Sequence, residues 1–177
     1  MRKSQRRLSK QWKDWLADEG GRLLMYARQR TGSLQEAEDV LQDSLIRLWG
    51  YQEERNYRPP DVPLAFSVVR LVAMDAGRKT GRRKRRDEKV IQFHDYDEHW
   101  LDPAMEDSED MLLLREKVEG LSEKLREVVT LKVWSGLTFA EIGKVLKISH
   151  NTAASRYRYA LELLQRELGH LKEERNG

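Results

Sequence analysis

Residues 78–110 change charge twice while offering very little to bury. Seven of the nine residues in RKTGRRKRR (78–86) are basic, and DEKVIQFHDYDEHWLDPAMEDSED (87–110) then holds ten carboxylates and a proline. So acidic and weakly periodic a stretch buries too little apolar surface to offset the entropy of ordering itself. It reads as a linker, so the chain must fold on either side of it: one domain over residues 10–86 and another over 111–172. The chain has no cysteine, which excludes disulfides, thiolate nucleophiles and Cys-based zinc sites. Charged residues make up 36% of the chain, yet the formal net charge is only +3, so partner choice depends on where the charges sit.

Both flanking segments read as helical, with no strand-like alternation, so the expected fold is all-α in two small domains. Residues 10–31 predict one or two short helices interrupted at Gly20-Gly21, with Gly32 placed as a C-terminal cap. Ser33-Leu34-Gln35-Glu36 fits a capping box and opens a helix over about 34–53. Pro59, Pro60 and Pro63 end that segment, because proline lacks the amide hydrogen and clashes with the preceding turn. A helix over roughly 64–79 is apolar on most of its circumference (Leu64, Phe66, Val68, Val69, Leu71, Val72, Met74) and is expected at the centre of an N-terminal bundle.

In the C-terminal segment, Thr138 can cap a helix whose apolar face is Phe139, Ile142, Gly143 and Leu146, at spacing i, i+3, i+4, i+7. Gly143 would let another helix approach closely. Ile148 falls in a tight turn, and Ser149 can cap the next helix. On a wheel of about 100° per residue, Ala153, Tyr157, Ala160, Leu161 and Leu164 share one face. The opposite face carries Asn151, Ser155, Arg158 and Glu162, flanked by Thr152 and Tyr159, with Arg156 nearer the edge; His150, at the helix start, joins Asn151, Thr152, Ser155, Arg156, Arg158 and Tyr159 as a candidate DNA contact. That is the pattern of a helix-turn-helix, whose second helix enters the major groove with its N-terminal half toward bases and phosphates. An ordinary amphipathic surface helix is the plainer reading, which the caps and two-helix spacing disfavour.

These residues carry a family resemblance. GLTFAEIGKVLKISHNTAASRYRYALELL resembles region 4 of bacterial RNA polymerase sigma factors of the extracytoplasmic-function (ECF) group, the part that reads the promoter's minus-35 element. MYARQRTGSLQEAEDVLQDSLIRLW resembles regions 2.1 to 2.2, and PLAFSVVRLVAMDAGRKTGRRKRR resembles regions 2.3 to 2.4. The matches cover roughly residues 20–86 and 110–168 in the family order. The resemblance implies a sigma factor that binds core RNA polymerase, directs it to promoter DNA, helps melt the minus-10 region and is then released. It implies no cofactor and no catalysis by the chain itself, and many members have an anti-sigma partner. Lys147 stands where the family often has glycine; a left-handed residue there costs about 1–2 kcal/mol, unless the turn differs. Leu64, Leu71 and Ala154 also depart from commoner residues, and they leave the promoter sequence open.

The resemblance assigns further surfaces. On the helix from 34, a core stripe of Ala37, Val40, Leu41, Leu45 and Leu48 leaves Asp39, Gln42, Asp43 and Ile46 on the far side, with Trp49 nearby. Ile46 is either a scattered surface residue or an apolar anchor with a polar rim. In the family this helix docks on the clamp coiled coil of the largest polymerase subunit. The basic run is either a flexible tail or a phosphate-facing segment. The resemblance places Arg70, Arg78, Lys79, Arg82 and Arg83, together with Tyr57, Arg58 and Asp61 in the preceding loop, near the minus-10 DNA. The acidic linker is a solvated spacer or, by resemblance, a strand that mimics nucleic acid in the polymerase channels.

Rival readings are a stand-alone helix-turn-helix regulator with a sensing or dimerising N-terminal domain, and an adaptor with no DNA role. His94 and His99 lie among carboxylates but lack the second cluster that a metal site needs. No apolar run reaches the roughly 18 residues that span a bilayer, and the basic N-terminus lacks a signal peptide's apolar core, so membrane insertion is not expected and the cytoplasm is the expected location.

Overall fold

The computed structural model describes residues 2–51, 58–84 and 109–176, with side chains within 10–51, 58–78, 113–114 and 116–169. No strand occurs among them. Seven helices follow in order: α1 (Arg2–Arg28), α2 (Leu34–Tyr51), α3 (Val62–Lys84), α4 (Glu109–Gly120), α5 (Glu123–Val133), α6 (Phe139–Leu146) and α7 (His150–Asn176). The chain divides into two compact units, Met1–Trp100 and Leu101–Gly177.

In the first unit α1, α2 and α3 pack pairwise into a three-helix bundle. Its core is Leu23, Tyr26 and Ala27 of α1, Ala37, Val40 and Leu48 of α2, and Ala65, Phe66, Val69 and Val72 of α3. Tyr26 meets Phe66 edge-on at 5.2 Å, in the arrangement that aromatic quadrupoles favour.

Three expectations are corrected here. α1 runs unbroken through Gly20-Gly21. Each glycine costs about 1 kcal/mol against alanine in a helix, and burial of Leu23, Tyr26 and Ala27 just beyond outweighs that cost. Gly32 is not a left-handed cap, since only Gly136 and Lys147 have positive φ among the described residues. Its amide instead donates to Glu36 Oε2 at 2.8 Å, while the Glu36 amide donates to Ser33 Oγ at 3.1 Å, so the capping box reaches one residue further back than expected. α3 starts at Val62 rather than 64 and continues to Lys84 rather than 79. Pro63 is tolerated because a first-turn amide has no partner to lose, and arginine and lysine are good helix formers that carry the helix past Gly77 and Gly81.

The second unit is a four-helix array in which α7 packs on α4, α5 and α6. Val118, Leu121, Leu125, Val129, Ala160 and Leu164 form its core, with Leu114, Trp134, Tyr157 and Leu163 packed around it. After α5 the chain reverses at Gly136 (φ 62), and Leu137 donates back to the Leu131 carbonyl at 3.0 Å.

Candidate nucleic-acid and partner interfaces

The helix-turn-helix is α6, the turn 147–149 and α7. Thr138 caps α6 with a complete capping box: its hydroxyl accepts from the Glu141 amide at 3.3 Å, and its own amide donates to Glu141 Oε2 at 2.8 Å. Lys147 then adopts the left-handed conformation (φ 56, ψ 45). The Ile148 amide donates to the Gly143 carbonyl at 3.0 Å, the 6→1 bond of a Schellman motif. Ser149 Oγ accepts from the Thr152 amide at 3.0 Å and caps α7.

Gly143 gives room not to another helix but to the turn itself, since a Cβ there would lie 2.7 Å from the Ile148 carbonyl oxygen. The buried residues of α6 are Ile142, Gly143 and Val145, while Phe139 and Leu146, expected on the buried face, are half-buried. α6 packs on both α5 and α7, so burial spans a wider arc than one stripe predicts.

On α7, Ala153, Ala160 and Leu164 are buried and Tyr157 is half-buried against Phe139, ring to ring at 5.7 Å. Leu161 is corrected to exposed, at 40%. It lies about 80° from the wheel's centre, at the margin of the face that the neighbouring helices cover. His150, Asn151, Ser155, Arg158 and Tyr159 are exposed, and Thr152 and Arg156 are half-buried. The seven candidate residues thus share the N-terminal half of α7, directly after a turn fixed by two caps.

On α2 the buried stripe is Ala37, Val40, Ser44 and Leu48, with Leu41 and Leu45 only half-buried. Ser44 was not among the expected core residues. It enters because its hydroxyl donates to the Val40 carbonyl at 2.6 Å, leaving no unsatisfied polar group. Asp39, Gln42 and Asp43 are exposed, and Ile46 and Trp49 stand out at 64% and 46%. Sequence reasoning missed Trp12 of α1, whose ring packs on Trp49 at 5.1 Å. The signal was present in Trp12-Lys13-Asp14-Trp15, where two aromatics at i, i+3 share a helix face.

Of the candidates for the minus-10 region, Arg58 and Asp61 are exposed, and the Asp61 carbonyl accepts from the Ala65 amide at the start of α3. Arg70 is half-buried, and Arg78 is exposed beside Asp75 at 3.8 Å. Lys79, Arg82 and Arg83 lie on the backbone of α3, so this part of the basic run is helical. Tyr57, the acidic segment 87–108 and the His94 and His99 pair lie outside the described residues.

A three-helix bundle and a separate unit whose capped helix pair exposes polar and cationic side chains define a helix-turn-helix DNA-binding protein. Family comparison narrows the class. The model of the ECF sigma factor family matches residues 6–170, and the chain belongs to that family. It is 31% identical over 154 residues to the ECF RNA polymerase sigma factor SigL of Mycobacterium tuberculosis, covering 84% of each chain. It is 30% identical over 146 residues to the RNA polymerase sigma-E factor of Streptomyces coelicolor, covering 82% of this chain and 79% of that one. Its fold is similar to the sigma factor RpoE from Bartonella quintana, solved in complex with the anti-sigma factor NepR, with TM-score 0.71, 24% identity, and 90% and 98% of the two chains covered. The protein is thus a sigma factor that acts with RNA polymerase in promoter-directed transcription initiation. The family is not an enzyme class, and no described helix is long and apolar enough to cross a membrane.

Proposed function

We propose that the two units divide promoter recognition between them. The N-terminal half of α7 reads the minus-35 element, with Asn151, Ser155 and Arg158 toward base edges and Arg156 toward a phosphate. The observation that carries this is the opposition on one helix of exposed Asn151, Ser155 and Arg158 to buried Ala153, Ala160 and Leu164. A helix held from behind by small and apolar side chains presents its donors in a fixed register, which direct readout requires.

The exposed face of α2 docks on the clamp coiled coil of the largest subunit of core polymerase. An exposed isoleucine and tryptophan beside Asp39, Gln42 and Asp43 have the make-up of an apolar anchor with a polar rim. The basic end of α3 and residues 57–61 lie along the minus-10 region, where salt-sensitive phosphate attraction holds the DNA. The linker 87–110 joins the two units. The chain itself performs no catalysis, works in the cytoplasm beside the polymerase, and is a candidate for binding by an anti-sigma factor. The RpoE relative, solved bound to NepR, supports that last reading.

Run-off transcription with purified core polymerase on genomic fragments tests the proposal. Discrete transcripts that require this chain are expected, and Asp43→Arg with Ile46→Glu abolishes them together with core binding. A chain that binds its DNA sites unaided and ignores core polymerase would instead be a stand-alone regulator.

A further inference from the structure

Lys147 is the one residue other than glycine with positive φ among the described residues, at φ 56 and ψ 45, and it lies in the turn between α6 and α7. Lysine has no short polar group to bond the local backbone there, as asparagine and aspartate have, and its Cβ is crowded where glycine would be free. Outliers of this kind collect at functional sites, held by the structure around them. Here the Ile148 amide, bonded to the Gly143 carbonyl at 3.0 Å, and the Ser149 cap of α7 hold the turn. The turn needs the conformation. It does not need a lysine.

What the lysine adds is a cation in a stretch without opposing charge. The twenty residues from Ile142 to Leu161 contain no Asp or Glu, while Lys144, Lys147, Arg156 and Arg158 all fall within them. Lys132 is engaged inside the unit, its Nζ donating to the Leu137 carbonyl at 3.2 Å and lying 4.9 Å from the centre of the Phe139 ring. Lys147 is exposed, and no carboxylate pairs with it among the described residues. We propose that Lys147 holds a phosphate of the DNA backbone beside the minus-35 element and so helps set how α7 is seated in the groove; this rests on the assignment of α7 as the reading helix above. Its stem leaves the chain four residues before Asn151, where the base-facing side chains begin. A compact charge on a flexible stem suits a phosphate oxygen, whereas the planar fork of Arg158 suits a base edge. The uniform sign of charge along 142–161 matches a nucleic-acid backbone, which is itself of one sign.

The test uses holoenzyme assembled from the full chain and purified core polymerase, bound to duplex promoter fragments that the unaltered holoenzyme transcribes, over a range of KCl concentrations. Lys147→Gln keeps the Cβ and removes the charge. It is expected to weaken binding several-fold at low salt and to lower the slope of log affinity against log salt by about one. Lys147→Gly is expected to do the same although it relaxes the turn, and Lys147→Arg to restore both quantities. The selected minus-35 sequence stays the same in all three, because a phosphate carries no sequence information. If the Gln and Gly variants keep the unaltered affinity and slope while Arg158→Ala changes the selected sequence, the proposal is overturned and α7 remains the reading helix. Weaker binding with an unchanged salt slope would mark a structural role, such as a charge complementing the dipole at the end of α6, and overturns it too. So does a loss of affinity for core polymerase itself, which would turn Lys147 toward the protein partner. If the Lys147, Arg156 and Arg158 substitutions all leave promoter binding and selection unaltered, the assignment of α7 fails and the proposal falls with it.

Discussion

Gly143 and Ile148 meet twice: the Ile148 amide donates to the Gly143 carbonyl at 3.0 Å, and a Cβ on Gly143 would lie 2.7 Å from the Ile148 carbonyl oxygen. The same Cβ position is 3.4 Å from the His150 amide nitrogen, so the turn lies on the glycine with backbone atoms that cannot rotate aside. Gly143→Ala should therefore push the turn off α6 and tilt the start of α7. The expected cost is about 1–3 kcal/mol, the range for overpacking a tight site. Faster hydrogen exchange in α6 and the first turns of α7, together with lost minus-35 discrimination, is the expected readout.

Lys147 holds the left-handed conformation that closes the same turn. A side chain there carries a cost of about 1–2 kcal/mol that glycine does not. Lys147→Gly should stabilise the second unit by about 1 kcal/mol after allowing for glycine's greater freedom when unfolded, whereas Lys147→Ala should change little because it keeps the Cβ. Denaturation midpoints of the two variants check this. Equal midpoints would show that the lysine is not strained.

Thr138 and Glu141 close the capping box of α6. Thr138→Ala leaves backbone donors at the helix start unsatisfied and should cost about 0.5–2 kcal/mol, while Thr138→Ser should stay close to the unaltered protein. Urea denaturation of the pair measures the difference.

The caps were legible in the sequence because they are local. Thr138 with Glu141, Ser33 with Glu36, and Ser149 ahead of α7 each need only residues within one turn to define them. The exposed face of α7 was legible for the same reason, since helix geometry fixes which side chains oppose Ala153. What the sequence hid depends on partners distant along the chain. Gly20-Gly21 resembles a break until the burial of Leu23 and Tyr26 against α2 and α3 is known. Ser44 resembles a surface residue until its hydroxyl is seen to bond within its own helix. Leu161 resembles a core residue because a wheel shows direction and not how far the neighbouring helices extend. Trp12 could be placed beside Trp49 only once α1 and α2 had been packed together.

Arg156 and Arg158 lie on the same helix but differ in setting: Arg158 is exposed and Arg156 is half-buried at the edge of the packed face. The most direct test of the central claim, that this chain directs polymerase to promoters by reading the minus-35 element with α7, is transcription of a randomised minus-35 library by holoenzyme carrying each arginine variant. Arg158→Ala should relax the selected sequence at one or two positions, with a loss of about 1–3 kcal/mol against the preferred base. Arg156→Ala should lower transcription from all selected sequences about equally, as loss of a phosphate contact does. A library whose selected sequence and yield were unchanged by both substitutions would contradict the assignment of α7 as the reading helix.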